Sequence, residues 1–463
     1  MRKKLVSVLL GTIMTFSMVG CGNTATQTGG KEAASSGAKV IEVWTNNRHD
    51  EEYMTEMINK FNTDHSDIQI KYTVLSDDYK NSIQLAYQAN TAPDIITVSA
   101  SDEIELLDYV KSNMLTSLSD YINADETFQK VTDVYNHKYE GLNSIGDDIY
   151  WVPNGVRSGT RIEYNKELLS KVGYTEIPKT LEELVILAGD ITAQGNGVEY
   201  GVGFTSASPL SRWLEGVGEM SGYNHNGYDY KTGTYDFSEW KDLVQTAAKF
   251  FEQGSVLPGS ETQGVDNSRA LFAQGSFAVW GNASQEAGVF TKQFPTSFEW
   301  GVAELPTVSG EVKGALNMTP NLGFAMLSTC QDKDSAWEVI SYFSSEDFLK
   351  GYFERGYNAP LSSYMAGVID TSKVGRLADF SLKEYEDVYP ATPSITVEGD
   401  DFKKVLWNAI LGNISADDAI ADLNKRYNAA LEKGLKNGSC TRLVIEDYDP
   451  LHPSAGTYKY LTE

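Results

Sequence analysis

From residue 39 onward the hydrophobic period of this chain switches back and forth between two and 3.6. The run at 39–45 (KVIEVWT) alternates as a strand does. Over 50–62, Tyr53, Met57, Ile58 and Phe61 then fall at helical spacing. The cycle repeats with alternation at 68–74, a helix over 79–89, a short buried strand at 94–98, and a helix over 102–113 that Ser101 is placed to cap. A βαβαβα succession buries its apolar faces best as a mostly parallel sheet covered by helices. The same style returns later. A capping box, Thr180 with Glu183, opens a helix over 180–192. Helices follow at 240–252, 266–274, 333–344, 346–355, 400–411 and 416–436, with a strand at 277–280. The Gly-, Asn- and Tyr-rich stretch 222–237 reads as hairpin turns.

The chain has 463 residues, more than one hydrophobic core organises, so two lobes are expected. Its first 21 residues have the order of an export signal. Arg2, Lys3 and Lys4 are followed by an apolar run over 5–19, too short for a comfortable span, and then by Gly20-Cys21. Residues 22–38 hold almost no large apolar side chain and read as a flexible linker. The formal charge of −26 repels nucleic acid and anionic lipid, which makes both poor partners. Beyond Cys21 only Cys330 and Cys440 remain, too few for a disulfide framework; whether they pair is open.

Several motifs resemble known families when taken together. Met18-Val19-Gly20-Cys21 resembles the lipobox of bacterial lipoproteins, which implies a lipidated Cys21 and a body tethered to the outer face of the cell membrane. Residues 89–102 (ANTAPDIITVSASD), 149–173 (IYWVPNGVRSGTRIEYNKELLSKVG), 178–184 (PKTLEEL), 268–284 (SRALFAQGSFAVWGNAS) and 335–360 (SAWEVISYFSSEDFLKGYFERGYNAP) occur in the order seen in extracellular solute-binding proteins of bacterial ABC transporters. The sugar-binding group that includes maltose-binding protein is the nearest likeness. That resemblance implies an α/β, two-lobed periplasmic-binding-protein-like fold (type II), each lobe a mixed sheet flanked by helices. Three hinge crossings join the lobes, near 152–158, 314–321 and 370–375. One lobe would comprise 39–154 plus 315–372 and the other 155–314 plus 373–463. It further implies a carbohydrate ligand held in the cleft, delivery to the transmembrane subunits of an ABC permease, a monomeric protein, no cofactor and no catalytic residue.

A sugar site needs aromatic faces for the C–H surfaces of the rings and polar groups for the hydroxyl rim, because a buried unpaired hydroxyl costs about 1–3 kcal/mol. In open α/β sheets ligands lie beyond the carboxyl ends of strands. That selects Trp44, Asn46, Asn47, Arg48 and His49 after the first strand, and Ser99, Ser101 and Asp102 after the strand at 94–98. Trp44 serves core packing equally well, Asn46 and Asn47 suit a turn, and Ser101 suits a cap. The crossing segment of the resembled family contributes Asn154, Arg157 and Ser158; many relatives carry a carboxylate where Ser158 stands. Trp213, Trp280 and Asn282 are the candidates from the other lobe, with Arg355 and Tyr357 at the mouth. Asn317 and Asn321 flank the second crossing. Convergence of Arg48, Arg157 and Arg355 would favour an acidic sugar, since arginine binds carboxylates bidentately; the same residues also suit neutral hydroxyls or salt bridges.

The sequence contains no phosphate loop and no nucleophile elbow. His49, His65, His137, His225 and His452 show no metal-ligand spacing, so no metal site is expected. Two rival classes stay open: an exported glycosidase, which needs two carboxylates across its cleft, and a cell-surface binding protein with no role in transport.

Overall fold

The structure is a computed structural model and describes residues 37–75, 78–100, 106–206, 210 and 213–461. The export signal with Cys21, most of the expected linker, and Ser101 and Asp102 lie outside the described residues. The strands that carry the architecture are β1 (Lys39–Thr45), β2 (Ile68–Val74), β3 (Ile95–Val98), β4 (Gly155–Arg157), β5 (Arg161–Asn165), β6 (Tyr200–Val202), β7 (Phe277–Asn282), β8 (Trp300–Ala303), β9 (Thr319–Asn321), β10 (Gly323–Met326) and β11 (Ala359–Pro360).

Two mixed sheets organise the chain. The first has the order β10-β3-β1-β2. β1 runs parallel to β2 from Lys39 opposite Ile68 to Thr45 opposite Val74, and parallel to β3 at Val43 and Ile95. β10 closes the edge antiparallel to β3. Alternation in β1 sends Ile41, Val43 and Thr45 inward, where helix Glu51–Asp64 meets them with Tyr53, Met54, Met57, Ile58 and Phe61. Helices Lys333–Phe343 and Glu346–Glu354, far along the chain, return to complete this core.

The second sheet has the order β8-β5-β7-β6. β5 pairs antiparallel with both β7 and β8, and β7 runs parallel to β6. Every residue of β5 and β7 is buried, as central strands covered on both faces require. Helix Leu181–Gln194 begins at the capping box: the Glu183 amide donates to Thr180 Oγ1 at 3.2 Å, and the Thr180 hydroxyl donates to the Glu183 carboxylate at 2.8 Å. The strand expected at 277–280 continues to Asn282, because its neighbour β5 offers partners that far. Cys330 and Cys440 are both free and belong to different cores, so no disulfide joins them.

Between the sheets lies a narrow three-stranded ribbon, β9-β4-β11, antiparallel throughout. The chain leaves the first sheet through β4 and returns through Leu316–Asn317 and β9. It passes over again between helix Ser363–Val368, which packs on helix Glu126–Thr132, and Phe380, which enters an aromatic cluster with Phe272 and Trp280. The backbone is crowded here. A Cβ on Gly159 would lie 2.4 Å from Leu316 Cγ.

A buried ion pair pins this region to the second sheet. The Arg161 guanidinium contacts the Glu386 carboxylate, with both side chains almost fully excluded from solvent. Arg161 also donates to the carbonyls of Gly159 at 3.1 Å and Ser381 at 3.1 Å, while Glu386 accepts from the Lys383 amide at 2.9 Å. Such a pair is costly to break on one side only. Glu386→Leu is expected to lower the unfolding free energy by about 3–5 kcal/mol, and the double change Arg161→Met with Glu386→Leu to recover most of that loss. Urea unfolding followed by tryptophan fluorescence reads both; equal losses in the single and double variants would refute this account of the pair.

Candidate ligand-binding cleft

The carboxyl ends of β1 and β3 are tied together beneath the loops they carry. Thr97 donates its hydroxyl to Thr45 Oγ1 at 2.9 Å, and the Asn47 amide donates to the same oxygen at 3.1 Å. Tyr79 donates to the Trp44 carbonyl at 2.8 Å. The loop after β3 is held to the ribbon, since the Ala100 amide donates to the Pro320 carbonyl at 2.8 Å. Side chains leaving β1, β3, β4, β9 and the start of β11 are thereby fixed around one point.

At that point lies a cavity of about 210 Å³, lined by Asn46, Asn47, His49, Ser99, Arg157, Asn321, Leu322 and Asn358. Its wall is carboxamide, hydroxyl, imidazole and guanidinium, a surface of donors and acceptors with one apolar side chain. Asn321 Nδ2 donates to Asn358 Oδ1 at 3.0 Å, so these two form one unit of the wall. Gly155 leaves room for it: a Cβ there would lie 2.8 Å from Asn321 Oδ1. A wider depression of about 740 Å³ lies between residues 120–127 and Trp337. It sits away from the strand ends, beside the stacked Tyr121 and Trp337 rings, and lacks the convergence of loops seen at the ribbon.

The cavity unites Asn46, Asn47, His49, Ser99, Arg157 and Asn321 from the sequence-based candidates. Tyr357 stands beside it, its ring 6.1 Å from that of His49. Arg48 is exposed on the same loop. Other candidates do not line the cavity. Trp44 is half-buried, with its indole N–H donating to Glu42 at 2.9 Å. Asn154 is buried behind Leu322, donating to the Leu322 carbonyl and the Ser344 hydroxyl, both at 3.0 Å. Ser158 is buried within the crossing. Asn317 is half-buried, and its backbone N–H donates to the Glu219 carboxylate at 3.1 Å. Arg355 pairs with Glu56 at 2.8 Å and lies 4.5 Å above the Tyr53 ring.

Trp213 and Trp280 are core residues, both fully buried, because the facing sheet and helices close over them. Trp213 stacks on Phe204 at 5.6 Å, and Trp280 packs among Phe272, Phe277 and Phe290. Asn282 is buried as well, with its Oδ1 accepting from the Ala283 amide at 3.0 Å. Sequence reasoning did not single out Asn358 and Leu322. The one available signal for Asn358 was its place just before Pro360 in the loop of residues 355–360.

Burial and shape alone leave the family of this protein open; the match of its sequence decides it. The sequence profile of the bacterial extracellular solute-binding proteins matches residues 46–350, well over half the chain. The chain belongs to that family. Among relatives of this solute-binding protein is a putative binding protein of Brucella abortus, 20% identical over 336 residues, which are 71% of this chain and 78% of that protein. In structure it is similar to RafE of Streptococcus pneumoniae in the apo form (TM-score 0.64, 19% identity, 86% of this chain and 100% of that one). RafE in complex with raffinose gives TM-score 0.65 at 19% identity over 85% of this chain and 100% of that one. The GacH receptor of Streptomyces glaucescens gives 0.64 at 19%, over 85% and 99%. At such identities the likeness establishes a shared fold. Among the described residues of this family member, no helix is long and apolar enough to cross a membrane.

Electrostatics at the cavity is set by His49. His49 is exposed at the cavity edge, yet the protein atoms packed around its ring desolvate it and lower its pKa below 6.5; the Asp50 carboxylate opposes this and the Arg157 charge pushes the same way. A folded-state value below the unfolded one means that the unfolded chain binds more protons as the pH falls through 6.5, so this group subtracts stability in that acid window and nothing at neutral pH. The imidazole C–H resonance of His49 is expected to titrate with a midpoint below 6.5, and His49→Gln to flatten the loss of stability below that pH. A midpoint at or above 6.5 would remove the argument.

Proposed function

We propose that this protein captures a neutral oligosaccharide between two lobes and delivers it unchanged to the transmembrane subunits of an ABC permease. The observation that carries the reading is the cavity at the ribbon, where polar side chains from β1, β3 and all three ribbon strands or their flanks meet. A sugar rim of hydroxyls, each both donor and acceptor, matches a wall of carboxamides and an arginine. RafE in complex with raffinose and GacH in complex with acarbose share the fold, which supports an oligosaccharide as the ligand class. In this reading residues 39–154 plus 315–372 move as one body and 155–314 plus 373–463 as the other, closing by a hinge at the ribbon.

A neutral ligand is supported by the absence of an arginine cluster: Arg48 is exposed on its loop and is not in the cavity wall. Arg355 is engaged by Glu56 and Tyr53, which leaves Arg157 as the guanidinium in the cavity wall. Among the described residues the cavity wall carries no carboxylate, whereas bond cleavage by a glycosidase would use two. Lipidation at Cys21 would hold the body at the outer membrane face, since diacyl and amide-linked chains together anchor firmly.

Raffinose and maltotriose are suitable probes. A binder at 100 times its dissociation constant gains about 2.7 kcal/mol of stability, read as a rise in melting temperature, with the sugar recovered intact by chromatography. Solution scattering should show a smaller radius of gyration with sugar. Cleaved sugar, or a panel of neutral and acidic oligosaccharides of which only acidic ones bind, would overturn the proposal. Arg157→Ala should weaken binding at least tenfold, about 1.4 kcal/mol, whereas Arg355→Ala should leave it within twofold.

A further inference from the structure

The ribbon has two faces, and only one of them meets the cavity. Successive side chains of a strand point opposite ways. In β4, Arg157 lines the cavity, so Val156 points away from it. Val156 is fully buried in an apolar cluster with Tyr139, Met318, Leu361 and Val388, and its cross-strand neighbour Ala359 packs on the same cluster. This cluster backs the ribbon on the side opposite the cavity.

The end of the chain lies against that rear face. Strand Thr457–Leu461 pairs antiparallel with strand Arg442–Glu446, whose Leu443 and Ile445 are buried in the core of the second sheet. The segment between these strands is bound to the crossings. The Ala315 amide donates to the Pro450 carbonyl at 2.7 Å, and the Ser454 hydroxyl donates at 2.7 Å to the carboxylate of Asp387, the residue before Val388. From the last strand Tyr460 reaches the loop that follows Tyr139. A Cβ on Gly141 would lie 3.7 Å from the Tyr460 hydroxyl oxygen. The phenol is packed there: burial pushes its pKa up to about 12, and the Glu140 carboxylate adds to the rise. Leu142 of the same loop packs with Trp151 and Leu327 against the first sheet. A strand rooted in the second core thus touches a loop rooted in the first.

The cavity wall draws on the first sheet and the ribbon, and on no described residue of the second sheet. Here the second lobe stands back from the cavity. Turning the lobes about the ribbon to narrow the front widens the rear. We propose that the C-terminal strand is a rear strap: Tyr460 against Gly141 holds the cleft open, and closure on a ligand breaks that contact. The inference rests on the two-lobed closing motion read above. A contact present only in the open form lowers the closed fraction, and the apparent affinity falls by that fraction. Loss of the contact therefore tightens binding, although Tyr460 lies on the far side of the ribbon from the ligand.

Tyr460 is 44% exposed, so its truncation leaves no core cavity. Tyr460→Ala in the full-length protein should bind raffinose at least threefold more tightly than the natural protein, measured by titration calorimetry. Leu461→Ala, on the opposite face of the same strand, should bind as the natural protein does. Tyr460→Leu, too short to reach Gly141, takes the place of Tyr460→Ala if that variant does not fold. Unchanged or weaker binding by the folded Tyr460 variant, or equal tightening in Leu461→Ala, would overturn the inference. Solution scattering without sugar gives a reading that needs no ligand: the Tyr460 variant should have a smaller radius of gyration than the natural protein, and Leu461→Ala the natural value. If the natural protein binds no raffinose, the carbohydrate reading fails; the strap then stands on a smaller radius in the Tyr460 variant and falls on an unchanged one.

Discussion

Antiparallel pairing of β4 with β9 on one side and β11 on the other is the constraint on which the rest of this structure depends. The two sheets have separate hydrophobic cores. What holds them in register is a ribbon only two or three residues long in each strand. Its small apolar cluster, Tyr139, Val156, Met318, Leu361 and Val388, is far smaller than either core. A short ribbon between two large cores is where bending costs least, because little packed surface changes when it flexes.

The ribbon also explains the chemistry of the cleft. Strand ends from the first sheet and the ribbon strands meet there, and each delivers a polar side chain to one wall. Glycine at 155 lets the Asn321 carboxamide lie flat against the neighbouring strand. The buried pair Arg161–Glu386 then fixes the far end of the same crossing against the second core. Rigid anchoring on both sides, with a thin connection between, is the arrangement a closing cleft requires.

Local periodicity carried most of the fold into view. The strand expected at 39–45 and the helix at 240–252 have the same bounds in the structure, since the one alternates at period two and the other repeats at 3.6 through Trp240, Leu243, Val244, Ala247 and Phe250. The site was less legible. Asn46, Asn47, His49 and Ser99 were visible from strand-end position, and Arg157 from the resemblance of its crossing segment. Trp213 and Trp280 are buried in the fold; from sequence an aromatic side chain fits a ligand face and a core equally well, and what decides is the layer that covers it. Arg355 misled for the opposite reason. Its partner Glu56 sits on a helix some three hundred residues earlier, and no local pattern reveals that pairing.

By itself, then, the sequence determined the alternating elements, through their hydrophobic period, and the need for more than one core, through its length; both are read without knowing the fold. Only the tertiary structure decided which polar groups are spent and which are left over. Asp50 opens the helix expected over 50–62, yet in the fold its carboxylate turns inward and accepts from Tyr352, whose oxygen accepts from Asn358. Hydrogen-bond satisfaction is a property of the assembled interior, where each donor and acceptor competes for partners brought from distant segments, so the residues that remain to meet a ligand are known only after folding.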